Sequence, residues 1–195
     1  LKSSSQIILF FGSLAPILLF VLILRSFVVE PFQIPSRSMV PTLVVGDFIL
    51  VSKWNYSVRL PVLRTELVEV SFPKRGDVIV FFPPHESRYF IKRLIGLPGD
   101  RVNLIDGTLY INNEVISENT ISTSDFPRRT AVIEESIDNR KFLTKKHNSP
   151  GRLSKNYSIV VPEDHYFVMG DYRDNSSDSR ICCLLYTSPS PRDAT

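Results

Sequence analysis

The chain has few of the residues that usually announce a metal site, a disulfide scaffold or a nucleic-acid surface. Its 195 residues include only three histidines, at positions 85, 147 and 165. None is spaced with another, or with an acid, as metal ligands are, so neither a metal nor a cofactor is expected. The only two cysteines, Cys182 and Cys183, are adjacent. Neighbouring cysteines rarely bridge each other, so they carry no information about redox compartment. The formal net charge is only +3, with no basic run interleaved with aromatics, and a nucleic-acid partner is not expected. A mild positive balance is compatible with anionic lipid without arguing for it. Glycine is also sparse, eight residues against fourteen prolines, which suits a loop-rich β architecture. With 11% aromatic and 22% charged residues, the composition is that of a globular domain.

One long apolar run is present. Residues 7–24 are apolar or small, and a helix of that length covers roughly 27 Å, close to a hydrocarbon core of about 30 Å. Gly12 and Pro16 interrupt it, as membrane helices tolerate. A cleavable signal peptide is the first alternative, since Lys2 precedes the run. The run exceeds a usual signal core, however, and Arg25-Ser26-Phe27 follows where a small-residue cleavage site would stand. A buried soluble helix is the second, weakened by the lack of a polar face. An uncleaved anchor is the expectation. Its orientation is weakly specified, because Lys2 and Arg25 flank the two ends almost equally.

The ends are unusual. The chain opens at Leu1 without an initiator methionine. From Cys183 to Asp193 it matches one reading frame of a widely used transposon sequencing adapter, so a gene interrupted near Cys182 with a read-through tail over 183–195 is expected.

Beyond the apolar run, short β-type segments are bounded by turn residues. They lie at 48–51, 78–82, 89–95, 102–105, 109–111, 158–161 and 165–169. Asp106-Gly107 between two of them is a hairpin signal, because glycine takes the positive φ the turn requires. No segment here keeps a helical period over three turns. Residues 117–154 are more polar and irregular and read as an insertion or small subdomain.

Three segments bear chemistry. Ser38 lies in Pro35-Ser36-Arg37-Ser38-Met39-Val40-Pro41-Thr42-Leu43, shortly after the apolar run. Alone it is a weak signal, since most serines are solvated turn residues. Lys92 lies in a strand where alternation sets Phe90, Lys92 and Leu94 on one face. An ammonium there is desolvated and its pKa falls, the condition for a lysine base. The rival is an edge lysine reaching into water. Lys92 and Arg93 point oppositely, so one of the two is expected to be ordinary surface charge. The third segment runs from Met169 to Arg180 and is crowded with short polar side chains. Its two arginines among three aspartates suggest internal ion pairing; a calcium loop fits poorly, lacking the EF-hand glycine and aspartate spacing.

Together these segments resemble bacterial type I signal peptidase (leader peptidase). Glu30-Pro31-Phe32-Gln33-Ile34-Pro35-Ser36-x-Ser38-Met39-x-Pro41-Thr42-Leu43 is similar to that family's nucleophile box, and Gly46-Asp47-Phe48-Ile49-Leu50-Val51 follows at the family's spacing. The segments at 74–78 and 89–100 resemble the lysine region with its Gly-Leu-Pro-Gly-Asp turn, and 170–180 resembles the last box. The resemblance is weakest over 117–154. It implies Ser38 as nucleophile, Lys92 as general base, and an oxyanion hole from Ser36 and the Ser38 N–H. It implies Ser176 as the group orienting Lys92, with Asp178 and Arg180 paired behind. Phe32, Ile34, Met39, Leu43, Phe90 and Ile91 match positions lining pockets for small residues at −1 and −3 of a substrate. Arg37 and Tyr172 stand where the family often has small or amide residues.

The implied fold is mainly β: a transmembrane helix, then an antiparallel catalytic sheet domain carrying a smaller inserted β subdomain. The boundaries read as a flank at 1–6, the helix at 7–24, the catalytic domain at 25–116 and 155–182, the insertion at 117–154 and the tail at 183–195. The family continues past the last box with closing strands, so a chain ending there is expected to fold poorly. The implied function is a serine endopeptidase of the bacterial inner membrane that removes signal peptides after small residues, with its catalytic domain facing the periplasm. Preprotein signal peptides, membrane lipid and the secretion machinery are its implied partners. The alternatives are an anchored peptide-binding β domain that does not cut, and a self-cleaving repressor-type Ser-Lys protease, which the anchor argues against.

Overall fold

The computed structural model describes residues 14–21, 29–52, 57–59, 66–69, 72–81, 83, 88–124, 129–149, 151–181 and 186–187. These fall into two compact units, Leu1–Gln33 with Phe48–Phe72 and Ile34–Asp47 with Pro73–Thr195. The architecture is mainly β, in several antiparallel sheets.

In the first unit residues 14–21 are helical, with Ile17, Leu18, Leu19, Phe20 and Val21 all exposed. The expected span at 7–24 lies otherwise outside the described residues, among which no helix is long and apolar enough to cross a membrane. Strands β1 (Val29–Gln33) and β2 (Phe48–Ser52) form a hairpin in which Phe32 opposes Ile49. A second small pair joins β3 (Ser57–Arg59) to β4 (Glu66–Glu69).

Among the described residues the second unit carries three sheets. The first comprises β5 (Val78–Phe81), β6 (Phe90–Gly96), β14 (His165–Met169) and the two-residue β15 (Tyr186–Thr187). The second contains β7 (Arg101–Ile105), β8 (Thr108–Ile111), β9 (Glu114–Val115) and β13 (Tyr157–Val160). The third contains β10 (Ser117–Ser124), β11 (Thr130–Ile137) and β12 (Arg140–His147). The core sits where alternate residues of these strands meet: Ile95, Val102, Leu104, Leu109, Ile111, Ile137, Phe142, Val161, Phe167 and Met169 form one buried cluster. Period-2 burial in β7 (Val102 and Leu104 in, Arg101 and Ile105 out) follows from one face packing on that cluster. At Gly96 a Cβ would lie 2.8 Å from Val102 and 3.2 Å from Phe167, so the absence of a side chain lets β6 approach both.

The Asp106-Gly107 turn is present with φ of 50° and 80°. Two further turns use the same device without glycine. Asn112-Asn113 and Asp138-Asn139 all have positive φ, which short polar side chains tolerate best. The second of these joins β11 to β12, within the stretch whose sequence reads as irregular. The reason for that reading is visible: every residue of β10 is exposed, so it has no apolar alternation to detect. In β11, moreover, the inward position 135 is a glutamate rather than a hydrophobe, fully buried against Arg173 and Thr144.

Candidate active site

A single 3-10 turn, Arg37–Met39, presents Ser38. The chain enters it through Ser36, which is extended and makes no side-chain capping bond. A serine in that position ordinarily spends its hydroxyl on the helix N-terminus; here the Ser36 Oγ instead lies 3.2 Å from the Ser38 Oγ. The turn is fastened from below by the Tyr172 N–H, which donates to the Ser38 carbonyl at 3.0 Å. Ser38 is only 8% exposed, whereas Ser36 is exposed.

Strand β6 supplies the lysine. Lys92 is 4% exposed and its Nζ donates to the Ser38 Oγ at 2.6 Å. Burial pushes its pKa down from the ordinary 10.5 to about 8; Asp178 and Asp171 pull the other way and Arg180 and Arg88 reinforce the fall. The Phe90 ring, 5.5 Å from Nζ, forms part of the apolar surround. A neutral amine touching a serine hydroxyl in a dry setting can accept its proton, which an exposed lysine at neutral pH cannot.

Neighbouring Arg93 corrects an expectation. Neither member of the Lys92–Arg93 pair is surface charge, since Arg93 is 5% exposed. The strand is covered on both faces. Arg93 makes a paired bond to Asp171, with Nε and Nη2 donating at 2.8 and 2.7 Å, and stacks 4.2 Å over the Phe142 ring. Its Nη1 also donates to the Gly76 carbonyl, and Thr42 donates to the same Asp171 carboxylate. This clamp joins the loop carrying Ser38, β6 and the last polar segment. Its sequence signal was the alternation that sent Arg93 to the face opposite Lys92; the unread part was that this face is also covered.

The last segment packs under the turn. The Gly170 N–H donates to Asp178 at 3.0 Å, and Arg180 makes two 2.8 Å bonds to the same carboxylate while its Nη1 donates to the Leu153 carbonyl. Of the two arginines expected to pair within the segment, Arg180 does so and Arg173 reaches out to Glu135 instead, at 2.6 Å. Ser176 is 4% exposed, and among the described residues its Oγ has no hydrogen-bond partner. Gly170, not singled out by its sequence, is what lets these parts meet. A Cβ there would fall 2.2 Å from the Ser176 Oγ and 2.5 Å from the Ser38 carbonyl oxygen.

The remaining sequence-selected residues are scattered in burial. Ile34 and Met39 are 3% and 1% exposed, and Ile91 is 8% exposed, so each can form only the floor of a recess. Phe90 and Leu43 are half-buried, and Phe32 lies on β1 of the first unit. One further feature is a gap in pairing. Strand β5 covers β6 from Phe90 to Arg93, but β14 begins only at Arg93. Phe90, Ile91 and Lys92 therefore have one unpaired strand edge among the described residues. Of the histidines, His85 lies outside them, His147 bonds the Tyr172 hydroxyl at 3.0 Å, and His165 bonds the Glu163 carbonyl at 2.8 Å.

Comparison with known proteins gives a consistent match. A family model described as signal peptidase, peptidase S26, matches residues 7–191. A signal peptidase I of Pseudomonas aeruginosa is 46% identical over 171 residues, and one of Pseudomonas fluorescens is 47% identical over 178; each alignment covers 86% of this chain and 60% of the relative. A signal peptidase I of Buchnera aphidicola subsp. Baizongia pistaciae is 34% identical, over 91% of this chain and 72% of that protein. The chain thus spans about 60% of the length of the two Pseudomonas relatives.

Proposed function

Because the chain belongs to the signal peptidase family, peptidase S26, we propose that it is a membrane-bound serine endopeptidase that cleaves signal peptides from exported preproteins. The observation that carries this is the 2.6 Å bond between the buried amine of Lys92 and the hydroxyl of Ser38. In the proposed reaction the Ser38 Oγ attacks the carbonyl carbon of the scissile bond while Lys92 takes its proton. The oxyanion is received by the Ser38 N–H and the Ser36 hydroxyl, a donor being worth about 3–4 kcal/mol in the transition state. Lys92, now an ammonium, protonates the departing amine as the C–N bond breaks. Water, deprotonated by Lys92, then releases the acyl chain and restores both residues.

Ser176 is assigned to orienting the Lys92 amine. An orphaned buried hydroxyl costs about 1–3 kcal/mol, and a bond to the Lys92 amine in the working enzyme would satisfy it. Asp178 and Arg180 hold the loop from behind. The peptide lies along the open edge of β6 at Phe90–Lys92, adding a strand, as extended ligands do on free sheet edges. Ile34, Met39, Leu43, Phe90 and Ile91 line the recesses that admit only small side chains at −1 and −3. The proposed organisation keeps a transmembrane helix at 7–24, a catalytic domain at 25–116 and 155–182, and a subdomain at 117–154 supported by its own three-stranded sheet. The site then faces the periplasm at the inner membrane, where preproteins, lipid and the secretion machinery meet.

The test is incubation of a preprotein with the full chain in detergent, followed by N-terminal sequencing of the product. A cut after a small residue that disappears in both Ser38→Ala and Lys92→Ala is expected. Cutting that survives either substitution rules the dyad out, and binding without cutting leaves only a peptide-binding domain.

A further inference from the structure

A second recess adjoins the turn that carries Ser38. It is a cleft of about 550 Å³ lined by Arg37, Val40, Val44, Val45, Lys145 and Tyr172, with Thr130 at its base. Three observations describe it. Arg37 precedes Ser38 and Val40 follows it by two residues, and the Tyr172 N–H donates to the Ser38 carbonyl, so the cleft lies against the turn that carries Ser38. None of the residues assigned to the small-residue recesses lines it. Its charge has one sign: among the described residues neither Arg37 nor Lys145 has a carboxylate partner, and Lys145 rests instead 5.4 Å from the Tyr172 ring. The apolar part of the wall is open too, Val44 and Val45 being 54% and 46% exposed.

Resting on the cleavage reaction above, the geometry points to this cleft as the subsite for the first residues after the scissile bond, selecting an acidic side chain there. With the acyl side of the substrate assigned to the β6 edge, the leaving segment is assigned to the neighbouring cleft, over Arg37, Val40 and Tyr172. Two unpaired cations attract a carboxylate and repel lysine or arginine, while the valines and the tyrosine ring accept the aliphatic stem. Lys145 is held for this by its main chain: its N–H donates to the Asp171 carbonyl at 2.8 Å and its carbonyl accepts from the Arg173 N–H at 2.9 Å.

The experiment compares kcat/KM of the full chain on peptides identical up to the scissile bond and bearing Glu, Gln or Lys in the next two positions. The Glu peptide is expected to be cut about fivefold faster than the Lys peptide, the gap closing in high salt. Arg37→Glu combined with Lys145→Glu is expected to reverse the order. Equal rates on the three peptides, or an order unchanged by the charge swap, overturn the inference while leaving the peptidase reading intact. If no peptide is cut, that reading fails, and binding of the same peptides to Ser38→Ala, followed by fluorescence anisotropy, still reads the cleft: equal binding overturns it. A charge swap that weakens attachment to phosphatidylglycerol vesicles and leaves the peptide order untouched assigns the cations to lipid and also overturns it.

Discussion

Lys92 is held in a protonation state that a solvated lysine reaches only at much higher pH. Its amine titrates near 8 because burial disfavours the ammonium. Peptidase activity is therefore expected to rise with pH and to reach half its plateau near pH 8; a profile flat from pH 6 to 10 would refute a lysine base. The same burial predicts a stability trade. The unfolded chain binds a proton at this site up to about 10.5 and the folded chain only up to about 8, so stability rises with pH between those values. Lys92→Met is expected to abolish cleavage, lowering kcat about ten-thousandfold. It should also raise stability at pH 7 by on the order of 1–2 kcal/mol, a gain that shrinks between pH 8 and 10.5, as urea titrations at several pH values would record. Ser38 and Lys92 could both be proposed from the sequence because their neighbours form boxes. The geometry between them could not, since 54 residues separate the two. Arg93 was misjudged for a physical reason: period 2 assigns opposite faces but does not say whether both are dry.

At the scale of elements, the buried Arg93–Asp171 clamp ties β6 to the loop carrying Ser176. Removing one member leaves an uncompensated charge, so Arg93→Ala is expected to cost about 3–5 kcal/mol and Arg93→Met with Asp171→Leu much less; thermal unfolding of the three proteins decides it. Gly170→Ala is expected to cost about 2–3 kcal/mol, because its Cβ would press on Ser176 and the Ser38 carbonyl, and to depress kcat with it. Among strands, β2, β5–β8, β13 and β14 were anticipated within a residue or two, because apolar alternation and turn residues bound them. The β10–β12 sheet was expected only as an inserted β subdomain over 117–154, without its individual strands: β10 is wet on both faces, and β11 places Glu135 where a hydrophobe would have signalled a core. The Asp138-Asn139 pair was the overlooked turn signal.

For the whole molecule, the exposed apolar helix at 14–21 needs a partner other than water. The full chain is expected to sediment with lipid vesicles and a form lacking residues 1–24 to stay in solution. Acid resistance has a local anchor as well. Burial pushes the Asp100 carboxyl up, but hydrogen bonds from Arg75, the Leu97 N–H and Asn112 outweigh it and hold it below the ordinary carboxylate range. Such a group adds stability above its unfolded pKa and loses it as pH falls through the folded one. Arg75→Ala is expected to move acid unfolding to higher pH, measurable by circular dichroism. The open edge of β6 sets a limit of another kind. Three residues, Phe90 to Lys92, offer a bound strand only a few main-chain bonds, each worth about 1 kcal/mol net. Under the proposed reaction, a cleaved peptide gripped so lightly dissociates fast, which keeps the site from being clogged by its own product.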